Sequence, residues 1–331
     1  MTVEIRTAHI EPLRQTFDHV EARIGKGKAA TRYQEAVHDF QMTMNFHYRP
    51  TWEPDMELFD KRRTAIVLED FDALLDPRQY YYATYTIQRA KQQDAQDNNF
   101  NLVEKRNLFG ALSDEWKAAI EHWVVPLRHF EWGANTNNCY LSAYAYGTPF
   151  NSAAMMQSMD RLGIAQYLTR LGLALEPSAA ILDRAKARWM DDPAWQPLRR
   201  LVEDSMVCHD WFELHVLQNL LLDPIVYAYA YQHLDQALAQ QGGIAYGLCT
   251  EFMREWQAES TRWTESTVKV AAAASPANKA LLDGWIAKWQ PRVMEAVLPL
   301  ARGALGANAD TLLQQAADAQ SARRVKLGLA G

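Results

Sequence analysis

Two stretches in the middle of the chain read alike: Glu131-Trp132-Gly133-Ala134 and Glu255-Trp256-Gln257-Ala258. Each lies in a long segment free of turn clusters, where helix is expected. The spacing matters because residues i and i+3 of a helix share a face. In four-helix bundles that hold two irons, two of the helices carry Glu-x-x-His, so carboxylate and imidazole enter the core together. Both stretches keep the glutamate and put alanine where histidine would stand. Alanine has no donor atom. The reading is a bundle of di-iron type without metal ligands, in which Glu131, Ala134, Glu255 and Ala258 are vestigial ligand positions facing the core.

Helical signals extend outward from both stretches. Asp76-Pro77 is a candidate helix start, followed by Tyr80, Tyr81, Tyr82 and Tyr85, which read as packing rings. Ser113 is a candidate N-cap with an acidic first turn after it, and the helix it opens is expected to run past Pro126 to Tyr140. Met155, Met156, Met159, Leu162, Leu168, Leu171 and Leu175 form an apolar stripe at helical spacing, read as core. Further helices are expected between Pro177 and Asp192, from Trp211 to Gln236 with a break at Pro224, from Tyr246 to Ala274, and from Ala277 to Leu298. A helical tail with frayed last residues follows Arg302. No segment alternates like a strand, so the fold class is all-α.

Residues 1–65 read as an N-terminal arm and residues 66–331 as one helical domain. Two prolines bracket Trp52 in His47-Tyr-Arg-Pro50-Thr-Trp52-Glu-Pro54, which favours an extended path. Phe46, Tyr48 and Trp52 are therefore candidates for a partner interface.

Composition limits the function classes. The 331 residues are 48% hydrophobic and 22% charged, with a net charge of −6 spread along the chain. A nucleic-acid partner would want a concentrated basic surface instead. Cys139, Cys208 and Cys249 are in no metal spacing. The N-terminus lacks the apolar run of a signal peptide and no stretch is long enough to span a membrane, so a cytoplasmic protein is expected.

Motifs that carry chemistry are few. Glu35-Ala-Val-His38 is the one Glu-x-x-His and lies in the arm. There is no His-Glu-x-x-His, Cys-x-x-Cys, phosphate loop or nucleophile elbow. Glu104 and Glu213 stand roughly where lone carboxylate ligands would sit, and Arg106, Arg128 and Arg254 are candidate partners for buried glutamates.

Arg14-Gln-Thr-Phe-Asp18, Thr31-Arg-Tyr-Gln-Glu35, Asn45-Phe-His-Tyr-Arg-Pro-Thr-Trp52 and Asp76-Pro-Arg-Gln-Tyr-Tyr81 resemble the β chain of the hydroxylase component of bacterial multicomponent monooxygenases, most of all phenol hydroxylase. The similarity spans nearly the whole chain. It implies a ferritin-like bundle, an assembly with two copies each of α, β and γ chains, and a di-iron centre on α. It also implies a reductase with NADH, FAD and an iron–sulfur cluster, and a small effector protein. Such systems hydroxylate phenol and methylphenols to catechols, and relatives act on toluene. On this reading the chain has no catalytic, cofactor or metal residue of its own. Two other readings compete: a self-sufficient di-iron oxidase using Glu131, Glu213 and Glu255, and a helical module binding a hydrophobic ligand.

Overall fold

The computed structural model describes residues 18–42 and 49–330. Among these the regular elements are helices, with no strand. Two short helices, α1 (Asp18–Ile24) and α2 (Arg32–Val37), belong to the expected arm. Thr31 and Gln34 close a capping box at the start of α2. Tyr33 and Val37 are buried, and the Asp76 amide donates to Tyr33 Oη at 2.8 Å. Phe46 and Tyr48 lie outside the described residues, and Trp52 is 73% exposed.

The first long helix, α3 (Tyr82–Lys105), starts later than expected. Asp76 accepts from the amide and guanidinium of Arg78, and Gln79 takes a left-handed φ of 54°. The Asp-Pro pair thus closes a turn, and the helix waits until Tyr81. Then follow α4 (Asp114–Trp123), capped by Ser113, and α5 (Leu127–Tyr144). The helix expected to run through Pro126 is two helices, with Pro126 between them. The hairpin partner of α5 is α6 (Thr148–Leu175). Asn135 donates to the Ser158 carbonyl at 2.8 Å and Ser142 to the Asn151 carbonyl at 3.1 Å, which fixes an antiparallel register. The turn needs Gly147: its φ is 106°, and a Cβ would lie 2.8 Å from the Phe71 carbonyl oxygen.

After α7 (Ala180–Asp191) and α8 (Gln196–Ser205) comes a helical run without interruption, α9 (Trp211–His215), α10 (Asp223–Tyr227) and α11 (Leu234–Ala239), linked by π-helical stretches Val216–Leu222 and Ala228–His233. The expected break at Pro224 does not occur. Proline cannot donate a backbone N–H, which leaves a carbonyl one turn earlier in want of a partner. The buried Gln320 amide supplies it, donating to Leu220 and Leu221 carbonyls at 2.8 and 3.0 Å.

The chain closes with α12 (Ile244–Cys249), α13 (Glu251–Ala274), α14 (Pro276–Leu305) and α15 (Ala309–Lys326). Ser275 caps α14, which continues past the expected end and holds Pro291 and Pro299 inside it. The described residues of the expected frayed end pack on the bundle instead: Arg324 and Leu329 are buried, and the Ala330 amide donates to Asp283 at 2.8 Å. The core forms where α5, α6, the α9–α11 run and α13 meet, filled by rings such as Phe150, Trp211, Phe212 and Trp263.

Candidate functional site: a buried charge cluster

Three of the central helices send polar side chains to one place. From α5 comes Glu131, from α6 Arg161, from α10 Asp223 and Tyr227, and all four are inaccessible to solvent or nearly so. Arg161 Nη1 donates to Glu131 Oε2 at 3.0 Å and reaches Tyr227 Oη at 3.2 Å, while Nη2 pairs with Asp223. Tyr227 Oη donates to Glu131 Oε1 at 2.8 Å. The other oxygen of Asp223 accepts from Gln218 Nε2 at 2.6 Å, and Gln218 Oε1 in turn accepts from Asn137 at 2.8 Å. The guanidinium lies over the Trp256 ring, 4.3 Å from its centroid.

One guanidinium faces two carboxylates in a dry core. Burial pushes Glu131 up to about 7 against the pull of Arg161, and also raises Asp223. Burial disfavours the charge on Arg161 too, but Asp223, Tyr227 and Glu131 outweigh it and hold its pKa above the ordinary value.

Trp256 joins this cluster to a second one. Its Nε1 donates to Asp160 Oδ2 at 2.9 Å. Arg89 of α3 binds Asp160 through Nε and Nη2, both at 2.8 Å, and Glu259 through Nη1 at 2.9 Å. Tyr80 and Tyr85 donate to Glu259 and Asp160 at 3.0 and 2.7 Å. Burial raises Glu259 but Arg89 and the hydrogen bonds more than offset it, so its pKa is lowered.

Of the four positions expected from the sequence to be vestigial ligand sites, Glu131 and Ala134 face the core and Glu255 and Ala258 do not: the last two are exposed. On α13 the inward set is Phe252, Met253, Trp256, Glu259, Ser260 and Trp263, so Glu259 is the inward acid and Trp256 the inward ring. The buried acids find Arg161 and Arg89 rather than Arg106, Arg128 or Arg254. Arg254 instead pairs with Asp235 at 3.4 Å. Glu213 binds Lys288 and the Trp289 indole, both at 2.7 Å, and Glu104 pairs with Arg170. The methionine stripe is split: Met156, Leu168 and Leu171 are buried, while Met155, Met159 and Leu162 are exposed. Of the four tyrosines, Tyr80 and Tyr85 pack as expected and Tyr82 is 78% exposed.

The sequence reading passed over Asp160-Arg161, and a signal for them exists. From Trp132 to Thr169 they are the only charged residues. Two adjacent charges in so apolar a helix need partners inside the fold.

These residues do not fit a di-iron group. That group takes four carboxylates and two imidazoles from the four helices. Here a guanidinium fills the space between Glu131 and Asp223. The buried histidine of the same core, His215, is engaged by Thr267 at 2.9 Å and Asn219 at 3.0 Å, and burial lowers its pKa to about 3. Among the described residues no group of three or more His, Cys, Asp or Glu is placed to hold a metal ion. None of their helices is long and apolar enough to cross a membrane.

Residues 52–275 match the family model for methane/phenol/alkene hydroxylases. The chain is 44% identical over 330 residues to the oxygenase component DmpL of phenol 2-monooxygenase from Pseudomonas sp. (strain CF600), covering 99% of this chain and 98% of that one. It is 27% identical over 265 residues to the hydroxylase component subunit beta of the toluene-4-monooxygenase system from Ectopseudomonas mendocina, covering 75% and 80%. Among solved structures, a chain of phenol hydroxylase from Pseudomonas sp. OX1 matches with a TM-score of 0.92 and 44% identity over 99% of both chains.

Proposed function

The chain belongs to the methane/phenol/alkene hydroxylase family, and from that premise we propose that it is the non-catalytic β-type subunit of a phenol 2-monooxygenase oxygenase component. The observation that carries this reading is the Arg161-centred cluster in a chain 44% identical, end to end, to such components. An internal cation balances the carboxylates at the centre of the bundle, so the fold is complete without metal.

On this proposal the di-iron centre belongs to a separate α chain, with a small γ chain completing an α2β2γ2 assembly in the cytoplasm. A reductase carrying FAD and an iron–sulfur cluster passes electrons from NADH, and an effector protein couples them to oxygen. The substrate class is phenol and methylphenols, converted to catechols. Residues 66–331 act as one rigid domain, and the arm over residues 1–65, with Phe46, Tyr48 and Trp52, adds contacts to the α chain.

Native mass spectrometry of the tagged chain from its own cells, with iron measured on each separated chain, tests the reading. The expected result is a hetero-oligomer whose iron stays with the larger chain. A lone chain or homodimer carrying stoichiometric iron overturns it.

A further inference from the structure

A cleft of about 530 Å³ opens between the α9–α11 run, α13 and α15. Its charge is unlike that of the chain around it. The chain carries −6 in all, yet the charged residues lining the cleft are both arginines, Arg254 of α13 and Arg323 of α15. Their acidic neighbours stand outside the lining: Asp235 lies 3.4 Å from Arg254, and Glu265 lies 3.0 Å from Arg323 Nε. The Gly247 carbonyl at 2.9 Å and Thr250 Oγ1 at 3.1 Å hold Arg254 in place. Arg323 is freer: among the described residues no hydrogen bond takes its Nη groups, and its side chain is 40% exposed. The facing wall is aromatic. Tyr227 and Tyr231 line it, edge to face with ring centroids 4.9 Å apart, at the π-helical stretch Ala228–His233. Such wide turns recur at functional sites. Ala258, expected in the core from the sequence, lies exposed at this cleft instead.

Two residues of the lining hold a buried polar atom without a partner, Gln257 at Oε1 and Tyr231 at Oη. The Gln257 amide donates to Thr261 Oγ1 at 3.1 Å, which leaves its carbonyl oxygen in want of a donor. Folded chains satisfy nearly all such groups, so two of them beside one cleft call for a cause. We propose that the cleft binds a small aromatic acid that carries a ring hydroxyl. Its carboxylate meets the open side of Arg323, planar fork against planar anion, and Arg254 adds positive charge from the neighbouring helix. Its ring lies against Tyr227 and Tyr231. Its hydroxyl serves Gln257, whose terminal amide has only to rotate. Simpler occupants leave part of the lining unused. A bare inorganic anion does not cover the aromatic wall, and a neutral phenol does not pair with the arginines. The volume suits a compound of one or two rings, since sites for small molecules span about 300–1,000 Å³. Tyr227 also donates to Glu131 at 2.8 Å, so the cleft and the buried charge cluster share a wall. Occupancy therefore stabilises the bundle as a whole.

Calorimetric titration of the tagged chain, together with the subunits that co-purify with it, tests the site with 4-hydroxybenzoate as the probe. Four forms are compared: wild type, Arg323→Gln, Ala258→Phe, which fills the cleft from an exposed position, and Arg302→Gln, an equal loss of charge at a residue that does not line it. The expected result is binding by wild type and Arg302→Gln alike, weakened about 10-fold or more in each cleft variant. The probe should also raise the Tm of wild type and not that of Ala258→Phe. Circular dichroism without ligand checks that the variants fold, and if one does not, the other decides. Absence of binding to wild type, or wild-type affinity in a folded cleft variant, overturns the proposal. Phenol or inorganic phosphate bound as tightly, with the same dependence on the two variants, overturns the ligand class. Binding to the chain alone but not with its co-purifying subunits means that a neighbour covers the cleft, and overturns it too.

Discussion

Glu131-Trp132-Gly133-Ala134 and Glu255-Trp256-Gln257-Ala258 differ at one letter and face opposite ways. On α5 the glutamate, glycine and alanine are buried and the tryptophan is outside; on α13 the tryptophan is buried and the glutamate and alanine are outside. The differing letter marks the reason on α5. A Cβ at position 133 would collide with Val202 of α8, so glycine lets α8 close over that side and leaves Trp132 the outward position. On α13, Phe252, Met253, Ser260, Trp263, Thr264 and Thr267 define the inward side, and Trp256 falls on it. A four-residue pattern fixes which residues share a face and leaves open which way that face points. The phase comes from the turns around it.

The contrast can be broken most directly at the two tryptophans. Trp256→Ala removes a fully buried ring that also bridges Asp160 and Arg161, and should cost about 3–5 kcal/mol in urea unfolding. Arg161→Leu should cost a comparable ~3–5 kcal/mol, because Glu131 and Asp223 are left buried without a counter-charge. A loss under about 1 kcal/mol for either would mean that the core reorganises around the hole.

A middle-sized effect separates the two glutamates by pH. Glu131 rises to about 7 in the fold from an ordinary 4.5. The folded state therefore binds more protons between those values, and stability falls as pH rises through that window, by about 3 kcal/mol in all. His215 runs the other way: lowered to about 3 from 6.5, it makes stability rise with pH between those values. The two slopes oppose each other from pH 4.5 to 6.5, which flattens the wild-type profile there. Glu131→Gln removes one of them. Its stability should climb relative to wild type between pH 4.5 and 7, and parallel profiles would refute the assignment of that proton.

The smallest effects are expected outside. Trp132→Ala and Glu255→Gln should each change the isolated chain's stability by no more than about 0.5 kcal/mol. A cost of about 2 kcal/mol at Trp132 would mean that its face is already covered.

The all-α class was legible because strand alternation is missing and caps such as Ser113 and Ser275 are local signals. The phase of α13 was also present in the spacing of its apolar residues, which outweighs the likeness of the two four-letter stretches. The Arg161 cluster was legible only as an oddity of composition. Its partners lie 30, 62 and 66 positions away, and no periodicity couples residues so distant. Pro224 misled for a related reason. The remedy for its missing donor is Gln320, 100 and 99 positions from the carbonyls it serves.

The run from Trp211 to Ala239 has a consequence in time. Residues 214–223 and 225–231 are buried, so nearly every side of that helix is wrapped by another. Its backbone amides have no surface from which a local fluctuation could admit solvent. In deuterium they should be the last to exchange, at the rate at which the entire molecule comes apart. The slowest isotope clock in the chain thus runs through its π-helical stretches, and it reads global opening alone.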